Sequence, residues 1–291
     1  MNLKINKILQ NVLKMAIFNF IIYANSIESK NIIVDGYHIH YLETGKGANT
    51  LFLLTGRNTT SYFWNKKFIS CLDKEYKIVM LDYPGVFQRE ENSLTVNNLK
   101  KVSDLYYKIS RLISSENNIY FIGWSMGGAI VQEILNLHYM EFNKSVLIAP
   151  LTKNNRIKDI KVPDSIKQYK LTHPLYFSFR DIHNFELSEY ANYSDQLINS
   201  TLANTTDRKF NDAQLEAVKG WVEDKSGFNA DLSTNILTMI PEHDERLSLE
   251  ETKKDITQFK HSTISIVHGS GHNPSLQNPD LVCNQIIEFL K

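Results

Sequence analysis

This sequence of 291 residues has few cysteines and a formal net charge of zero. It has two cysteines, Cys71 and Cys283, which are too few for a disulfide framework or for a paired CxxC metal motif. One bridge between them fits the count, but we expect two unpaired, buried thiols. The 32 basic and 32 acidic residues cancel, so the chain lacks both a basic footprint for nucleic acid and an acidic tail.

Long apolar runs are also absent, which leaves no segment able to cross a bilayer, since a membrane-spanning helix takes about 20 apolar residues. The apolar run at residues 15–24 follows Lys4 and Lys7 and precedes the small residues Ala24 and Ser26. A basic start, a short apolar run and small residues before a cleavage point are typical of a secretory signal. We therefore predict a signal peptide over residues 1–26 and a secreted or periplasmic protein. The alternative is a cytoplasmic or membrane-associated protein whose N-terminal segment is a helix.

Short apolar runs alternate with helical patterns from residue 32 onward. The 15 Phe, 14 Tyr and 3 Trp can bury enough surface for a large core, which excludes disorder. The predicted strands are residues 32–34, 39–42, 50–54, 77–81, 119–122, 145–148, 236–240 and 263–267, and the predicted helices are residues 96–113, 128–138 and 281–290. Strands that are apolar along their whole length indicate a sheet covered on both faces. We predict an α/β fold with a mostly parallel sheet and an edge hairpin that turns at Asp35-Gly36.

The stretch from residue 151 to 235 interrupts this alternation, because it has no clear buried strand. We predict that it is a helical cap (lid) inserted into a body formed by residues 27–150 and 236–291. Its aromatic side chains Tyr176, Phe177 and Phe179, with Trp124 of the body, are candidates to bind an apolar substrate. Packing of the cap on the body explains the cap aromatics equally well.

The motif GWSMGG at residues 123–128 carries the strongest chemical signal. It has the pattern G-x-S-x-G, directly after a predicted strand and before a predicted helix, which is the context that a nucleophile elbow requires. The glycines allow the strand and helix backbones to approach closely, and the helix presents amides to a developing oxyanion. Ser125 is therefore the predicted nucleophile.

A serine nucleophile needs a base and an acid, which follow it in the order acid, then histidine. His272 lies in a glycine-flanked loop after the last predicted strand, whereas its rival His268 directly continues that strand. Asp244 follows the strand at residues 236–240, where Glu242 is the rival carboxylate. We predict that His272 is the base and that Asp244 orients it.

From about residue 32 to the end, the sequence resembles the α/β-hydrolase superfamily, in particular its capped, esterase- and haloperoxidase-like branch. The motif GWSMGG and the tail GSGHNP…NPDLVCNQIIEFL at residues 269–290 carry the resemblance. It implies an α/β-hydrolase fold, with helices on both faces of a mostly parallel sheet and an inserted helical cap. It also implies that the backbone N–H groups of Arg57 and Met126 form the oxyanion hole.

Several positions depart from the family pattern. The usual His-Gly after the first central strand is Thr55-Gly56 here, which removes a side chain that normally supports the oxyanion loop. Other departures lie at residues 82–89, where only Asp82 and Gly85 match, and at Pro241, where members usually have glycine. These two concern loop shape and leave the predicted triad unchanged.

Ser125 stands where dehalogenases and epoxide hydrolases of this superfamily have an aspartate, so attack on an acyl carbon is expected. The prediction is a serine hydrolase of the carboxylesterase type, acting through an acyl-enzyme on an ester of a small or medium apolar substrate. It requires no cofactor and no metal, and its partner is a small-molecule acyl substrate, not nucleic acid. Thioesters, lactones, amides and carbon–carbon bonds stay open as targets. The alternatives are an aminopeptidase of the same fold and a non-catalytic ligand-binding protein.

Overall fold

The structure is a computed structural model that describes residues 27–86, 95–114, 118–138, 141–154, 208–228, 233–244 and 246–291. The predicted signal segment, 1–26, and most of the predicted cap, 155–207, lie outside these ranges. Within the ranges, no helix has both the length and the apolar character that a membrane span requires.

Eight strands form one sheet. They are β1 (Glu28–Val34), β2 (Tyr37–Thr44), β3 (Thr50–Leu54), β4 (Lys77–Leu81), β5 (Ile119–Trp124), β6 (Lys144–Ile148), β7 (Asn235–Pro241) and β8 (Ser262–Val267). Their order across the sheet is β1-β2-β4-β3-β5-β6-β7-β8. All pairs from β4 to β8 are parallel, whereas β1 pairs antiparallel with β2, and β2 with β4. The predicted α/β class, with a mostly parallel sheet, is confirmed.

The edge hairpin turns where the sequence indicates. Asp35 and Gly36 both have positive φ, at 52° and 79°. Two central residues with positive φ give a turn whose twist matches that of the flanking strands, and Asp-Gly is a favoured pair for it. The turn therefore fixes the pairing of Val34 with Tyr37.

Helices cover both faces of the sheet. They are α1 (Lys66–Leu72), α2 (Leu99–Ile113), α3 (Met126–Leu137), α4 (Arg208–Glu223), α5 (Leu249–Ile256), α6 (Pro274–Gln277) and α7 (Pro279–Leu290). In β3, Phe52 and Leu54 belong to one core with α2, α3 and α4, whereas Leu51 and Leu53 belong to a second core with α1 and α7. Successive strand residues point to opposite faces, so a strand between two helical layers is apolar throughout.

The described end of the predicted cap stretch is helix α4, and it packs on the body. Phe210, Ala217, Val218 and Trp221 are buried in the same core as helices α2 and α3. In addition, the indole N–H of Trp221 donates to the buried carboxylate of Glu133 in α3, at 2.9 Å. Helix α4 is therefore anchored to the sheet's helical layer.

The expectation of two unpaired thiols was wrong, because Cys71 and Cys283 form a disulfide. Cys71 lies in α1 and Cys283 in α7, and the two helices pack together over one face of the sheet. Their Cα atoms are 6.3 Å apart, although 212 residues separate them in sequence. The count of two cysteines does not reveal such a distant pairing.

We expect the double substitution Cys71→Ala/Cys283→Ala to lower the free energy of unfolding by about 2–5 kcal/mol, since a bridge that closes a long loop restricts the unfolded chain. Urea unfolding followed by circular dichroism measures the change. The oxidised wild type and the wild type held in reductant are the reference pair. Equal midpoints for all three would show that the bridge contributes nothing to stability.

Candidate active site

Ser125 occupies a strained turn between the end of β5 and the start of α3. It has φ 55° and ψ −115°, a left-handed region that residues other than glycine rarely enter. Its N–H donates to the carbonyl of Ile148, and its own carbonyl accepts from the N–H groups of Gly128 and Leu151. Such a backbone costs about 1–3 kcal/mol and persists only where its surroundings hold it. Neighbouring strands and the helix thus fix the serine at the sheet edge.

Close backbone approach explains why the flanking residues are glycines. A Cβ atom added to Gly123 would lie 2.3 Å from the carbonyl oxygen of Gly127. One added to Gly127 would lie 2.1 Å from the carbonyl oxygen of Leu54. Both distances are impossible for carbon and oxygen, so any side chain at either position would force the elbow open.

The structure brings Ser125, His272 and Asp244 into one hydrogen-bonded chain. Nε2 of His272 lies 2.9 Å from Oγ of Ser125, and Nδ1 lies 2.8 Å from Oδ2 of Asp244. The other carboxylate oxygen, Oδ1, accepts from the backbone N–H groups of Arg246 and Leu247 at 2.8 and 2.9 Å. This geometry allows the imidazole to take a proton from the hydroxyl while the carboxylate faces its far side.

The environment of Asp244 keeps it ionised. Burial by itself raises the pKa of this carboxyl, but the charge and hydrogen bond of His272 and the two backbone amides outweigh it, and the net pKa lies below the ordinary value. Asp244 and His272 are 9% and 4% exposed, so water screens their interaction little.

The rival residues Glu242 and His268 contact each other and take no part in the hydrogen bonds that join Ser125, His272 and Asp244. The Glu242 carboxylate accepts from the N–H of Gly269 and lies 3.4 Å from Nδ1 of His268, whose side chain is largely exposed. Asp244 therefore lies next to His272, whereas Glu242 lies next to His268.

Trp124 packs against the loop that carries His272. Its indole N–H donates to the carbonyl of His272 at 2.8 Å, and its ring stacks on Phe63 with centroids 4.6 Å apart. The residue is only 2% exposed, so its place is in the packing under the histidine loop and not in a substrate-facing surface. The other predicted substrate-binding residues, Tyr176, Phe177 and Phe179, lie outside the described residues.

The loop after β3 holds Arg57 close to the elbow, because Gly56 approaches the ring of Trp124. Within the described residues, no acceptor takes the backbone N–H of Arg57 or of Met126, which leaves both donors for a ligand. Thr55, in the place of the family histidine, donates its hydroxyl to the carbonyl of Thr59 in the same loop at 3.5 Å. Two shorter hydrogen bonds also hold the loop: the Thr59 hydroxyl donates to the carbonyl of Gly56 at 2.7 Å, and the Asn58 N–H donates to the Gln214 side chain of α4 at 2.7 Å.

Residues 49–279 match the family model described as the alpha/beta hydrolase fold. The chain belongs to the α/β-hydrolase superfamily. No curated protein matches its sequence.

Solved structures of α/β-hydrolases superpose on nearly the whole chain. An alpha/beta hydrolase fold protein from Chitinophaga pinensis is 16% identical, with a TM-score of 0.76, over 92% of this chain and 98% of that one. The esterase RhEst1 from Rhodococcus sp. ECU1013 is 17% identical, with a TM-score of 0.69, over 91% and 98%. A 2-hydroxy-6-oxo-6-phenylhexa-2,4-dienoate hydrolase from Rhodococcus sp. strain RHA1 is 17% identical, with a TM-score of 0.70, over 90% and 98%. At such identities the likeness establishes the fold.

In this α/β-hydrolase, a buried network that the sequence does not reveal holds the loop after β3, which carries Arg57. The fully buried Asp82 carboxylate accepts from the N–H and hydroxyl of Ser61, at 2.6 and 2.7 Å, and lies 2.6 Å from Nδ1 of His40. Burial raises the pKa of Asp82, and the contacts with His40 and Ser61 oppose that rise. Ser61 ends the loop that carries Arg57, so Asp82 fixes that loop from the end of β4. The family pattern indicates Asp82 only as a residue that affects the shape of a loop, and it indicates neither His40 nor Ser61.

We expect Asp82→Asn to lower kcat/KM about 10- to 100-fold, since displacement of a catalytic group by about 1 Å has effects of this size. Loss of hydrogen bonds to a buried charge should also lower the free energy of unfolding by about 2–3 kcal/mol. Ester hydrolysis and urea unfolding measure the two effects. Thr50→Val is the matched control, because it breaks a buried contact with Ser114 at the other end of β3. An Asp82→Asn variant with wild-type kcat/KM would contradict the positioning role.

Among the described residues, no group of three or more His, Cys, Asp or Glu side chains could hold a metal ion.

Proposed function

We propose that the protein is a serine hydrolase that cleaves a carboxylic ester through an acyl-enzyme, with Ser125, His272 and Asp244 as its triad. One observation carries the proposal: the imidazole of His272 contacts Ser125 Oγ at 2.9 Å and Asp244 at 2.8 Å. A serine on a structural turn has no need of a histidine that is itself oriented by a buried carboxylate.

In the first half of the reaction, Oγ of Ser125 attacks the acyl carbon while Nε2 of His272 takes the hydroxyl proton. The carbonyl oxygen becomes an oxyanion, and the N–H groups of Arg57 and Met126 donate to it. Asp244 stabilises the imidazolium that forms and does not itself take the proton. When the carbon–oxygen bond of the ester breaks, His272 gives its proton to the leaving alcohol.

In the second half, a water molecule replaces the alcohol. His272 removes a proton from this water as the water oxygen attacks the acyl carbon of the acyl-enzyme. The same two N–H groups hold the second oxyanion. Breakage of the acyl–Oγ bond releases the carboxylic acid, and the proton returns to Ser125.

Relatives of the same fold support an ester as the substrate. Three structural neighbours are named as esterases. An alcohol leaves more readily than an amine, so an ester is a less demanding acyl bond than an amide for this set of groups.

A panel of p-nitrophenyl esters of increasing acyl length, assayed beside aminoacyl p-nitroanilides, tests the proposal. We expect the esters to have the higher kcat/KM, and Ser125→Ala to reduce their hydrolysis to background. Higher kcat/KM for the anilides would replace the ester proposal by the aminopeptidase alternative. Absence of turnover on every substrate, together with saturable ligand binding, would favour the ligand-binding alternative.

We further propose that the protein is exported. The signal-like segment at residues 1–26 supports this, and so does the pairing of Cys71 with Cys283, since disulfides persist in oxidising compartments. N-terminal sequencing of protein recovered from the native cells should begin near Ile27. A protein that retains Met1 would favour the cytoplasmic or membrane-associated alternative.

A further inference from the structure

Gln214 lies within the apolar stripe of helix α4. Phe210, Ala217 and Trp221, one or two turns away on the same side of the helix, are buried in the core with α2 and α3. Gln214 is fully buried as well. The pattern of an amphipathic helix predicts an apolar residue at such a position, so the reason for an amide has to lie in its contacts.

The two polar atoms of this amide differ in their surroundings. Oε1 accepts from the backbone N–H of Asn58 at 2.7 Å, whereas Nε2 is buried and makes no hydrogen bond within the described residues. A buried, unpaired N–H lowers the stability of a fold, and a methionine of similar shape would avoid that cost. Such departures from local rules are expected at functional sites. The contact with Asn58 is therefore the candidate role of Gln214.

Asn58 directly follows Arg57 in the loop after β3. Its φ is 60°, in the left-handed region that is uncommon for residues other than glycine. Such a conformation persists only where the surrounding structure holds it. One turn before Gln214 on the same helix, Asn211 accepts from Nη1 of Arg57 at 2.6 Å. Helix α4 therefore contacts two successive residues of this loop.

Two hydrogen bonds fix the peptide groups on either side of Arg57. The carbonyl of Gly56 accepts from the Thr59 hydroxyl at 2.7 Å. This carbonyl and the Arg57 N–H belong to one trans peptide, in which the two groups point in opposite directions, so the N–H faces away from Thr59. The next peptide ends in the Asn58 N–H, which Gln214 holds. The backbone of Arg57 therefore lies between two anchored peptide planes.

We propose that Gln214 is a positioning residue for the candidate oxyanion hole, because its Oε1 holds the Asn58 peptide and thereby fixes the direction of the Arg57 N–H. This inference rests on the proposed function, since it concerns a donor that the proposed reaction requires. Without the acceptor, the peptides around Arg57 can rotate. Stabilisation of the oxyanion is then weaker, whereas binding of the acyl chain in the ground state is unaffected.

Gln214→Met tests this role, because it keeps the size of the side chain and removes the acceptor. With p-nitrophenyl hexanoate as the substrate and Ser125→Ala as the blank, we expect kcat to fall about 10- to 100-fold while KM changes little. The urea midpoint should stay near the wild-type value, since the substitution also removes the buried, unpaired N–H. Trp221→Phe is the matched control. It breaks a buried hydrogen bond from the same helix to Glu133, a bond that does not involve the loop, and it should leave kcat unchanged.

A trifluoromethyl ketone with a hexyl chain distinguishes an effect on the oxyanion hole from a general effect on the protein. Oγ of Ser125 adds to the carbonyl carbon of the ketone, His272 takes the hydroxyl proton, and the carbonyl oxygen becomes an oxyanion. We expect inhibition by the ketone to weaken in Gln214→Met by the same factor as kcat/KM, and inhibition by hexanol, which forms no oxyanion, to be unchanged. Wild-type kcat in Gln214→Met, or equal weakening of both inhibitors, would overturn the positioning role.

Hydrogen exchange separates failure of this inference from failure of the proposed function. If the wild type neither hydrolyses the ester nor binds the ketone, the proposed function fails, and amide exchange in a peptide that covers residues 55–60 still tests whether Gln214 holds the loop. Exchange should be faster in Gln214→Met than in the wild type. Gln214→Glu should restore slow exchange, because a carboxylate oxygen can take the place of Oε1. Equal exchange in the wild type and in Gln214→Met would overturn the inference.

Discussion

Ser125→Ala is expected to lower kcat by about a million-fold, because loss of the nucleophile of a triad removes nearly all of its cooperative effect. The fold should survive, since alanine keeps the turn and removes only one hydroxyl. Hydrolysis of the best ester of the panel, measured at high enzyme concentration, gives the residual rate. Circular dichroism and the urea midpoint verify that the variant is folded.

A matched control separates the role of this hydroxyl from a general effect of the substitution. Ser145 is a fully buried serine in the neighbouring strand β6, and Ser145→Ala should leave kcat unchanged. A Ser125→Ala variant that retains a tenth or more of the wild-type kcat would contradict a serine mechanism.

Asp244→Asn should lower kcat by about 10,000-fold, because an amide can donate where the carboxylate only accepts and so favours the wrong tautomer of the imidazole. The change is isosteric, and the contacts of Oδ1 with the N–H groups of Arg246 and Leu247 can remain. Single-turnover ester hydrolysis measures the loss. Glu242→Gln, at the exposed rival carboxylate, is the control and should retain the wild-type kcat.

The pH dependence of stability provides a second readout for Asp244. Its pKa in the folded protein lies below the ordinary value, so the ionised form contributes stability above about pH 4. This contribution is lost as the pH falls through the lowered pKa of the folded state. Asp244→Asn lacks the contribution at every pH, so its unfolding free energy should fall less steeply on acidification. Parallel curves for the two proteins would contradict the lowered pKa of Asp244 in the folded protein.

Local sequence patterns predict the candidate site well where the chemistry is local. The elbow needs only a strand, a serine between glycines and a helix, all within about ten residues, and the structure has this arrangement around Ser125. Asp244 and His272 each lie in the loop that follows a strand, β7 and β8 respectively. Parallel strands end at one edge of the sheet, so the fold brings these loops together.

Features that depend on contacts between distant elements escape such patterns. The Cys71–Cys283 bridge needs helices α1 and α7, which are far apart in sequence, to pack together. The Asp82 network needs residues from β2, the end of β4 and the loop after β3. Trp124 is another example of a contact between distant residues. Its position next to Ser125 in sequence predicts substrate contact, but in the structure Trp124 is buried and packs against Phe63. Whether such a side chain is buried depends on residues that are distant in sequence and close only in the folded protein.

Labelling by a fluorophosphonate tests the central claim, that Ser125 is an activated nucleophile, without knowledge of the substrate. Intact-mass spectrometry of the folded wild type should show one covalent adduct, and peptide mapping should place it on Ser125. Ser125→Ala should show none, and His272→Ala should react far more slowly because the hydroxyl loses its base. No adduct on the folded wild type, or an equal adduct on Ser125→Ala, would contradict the serine-hydrolase account.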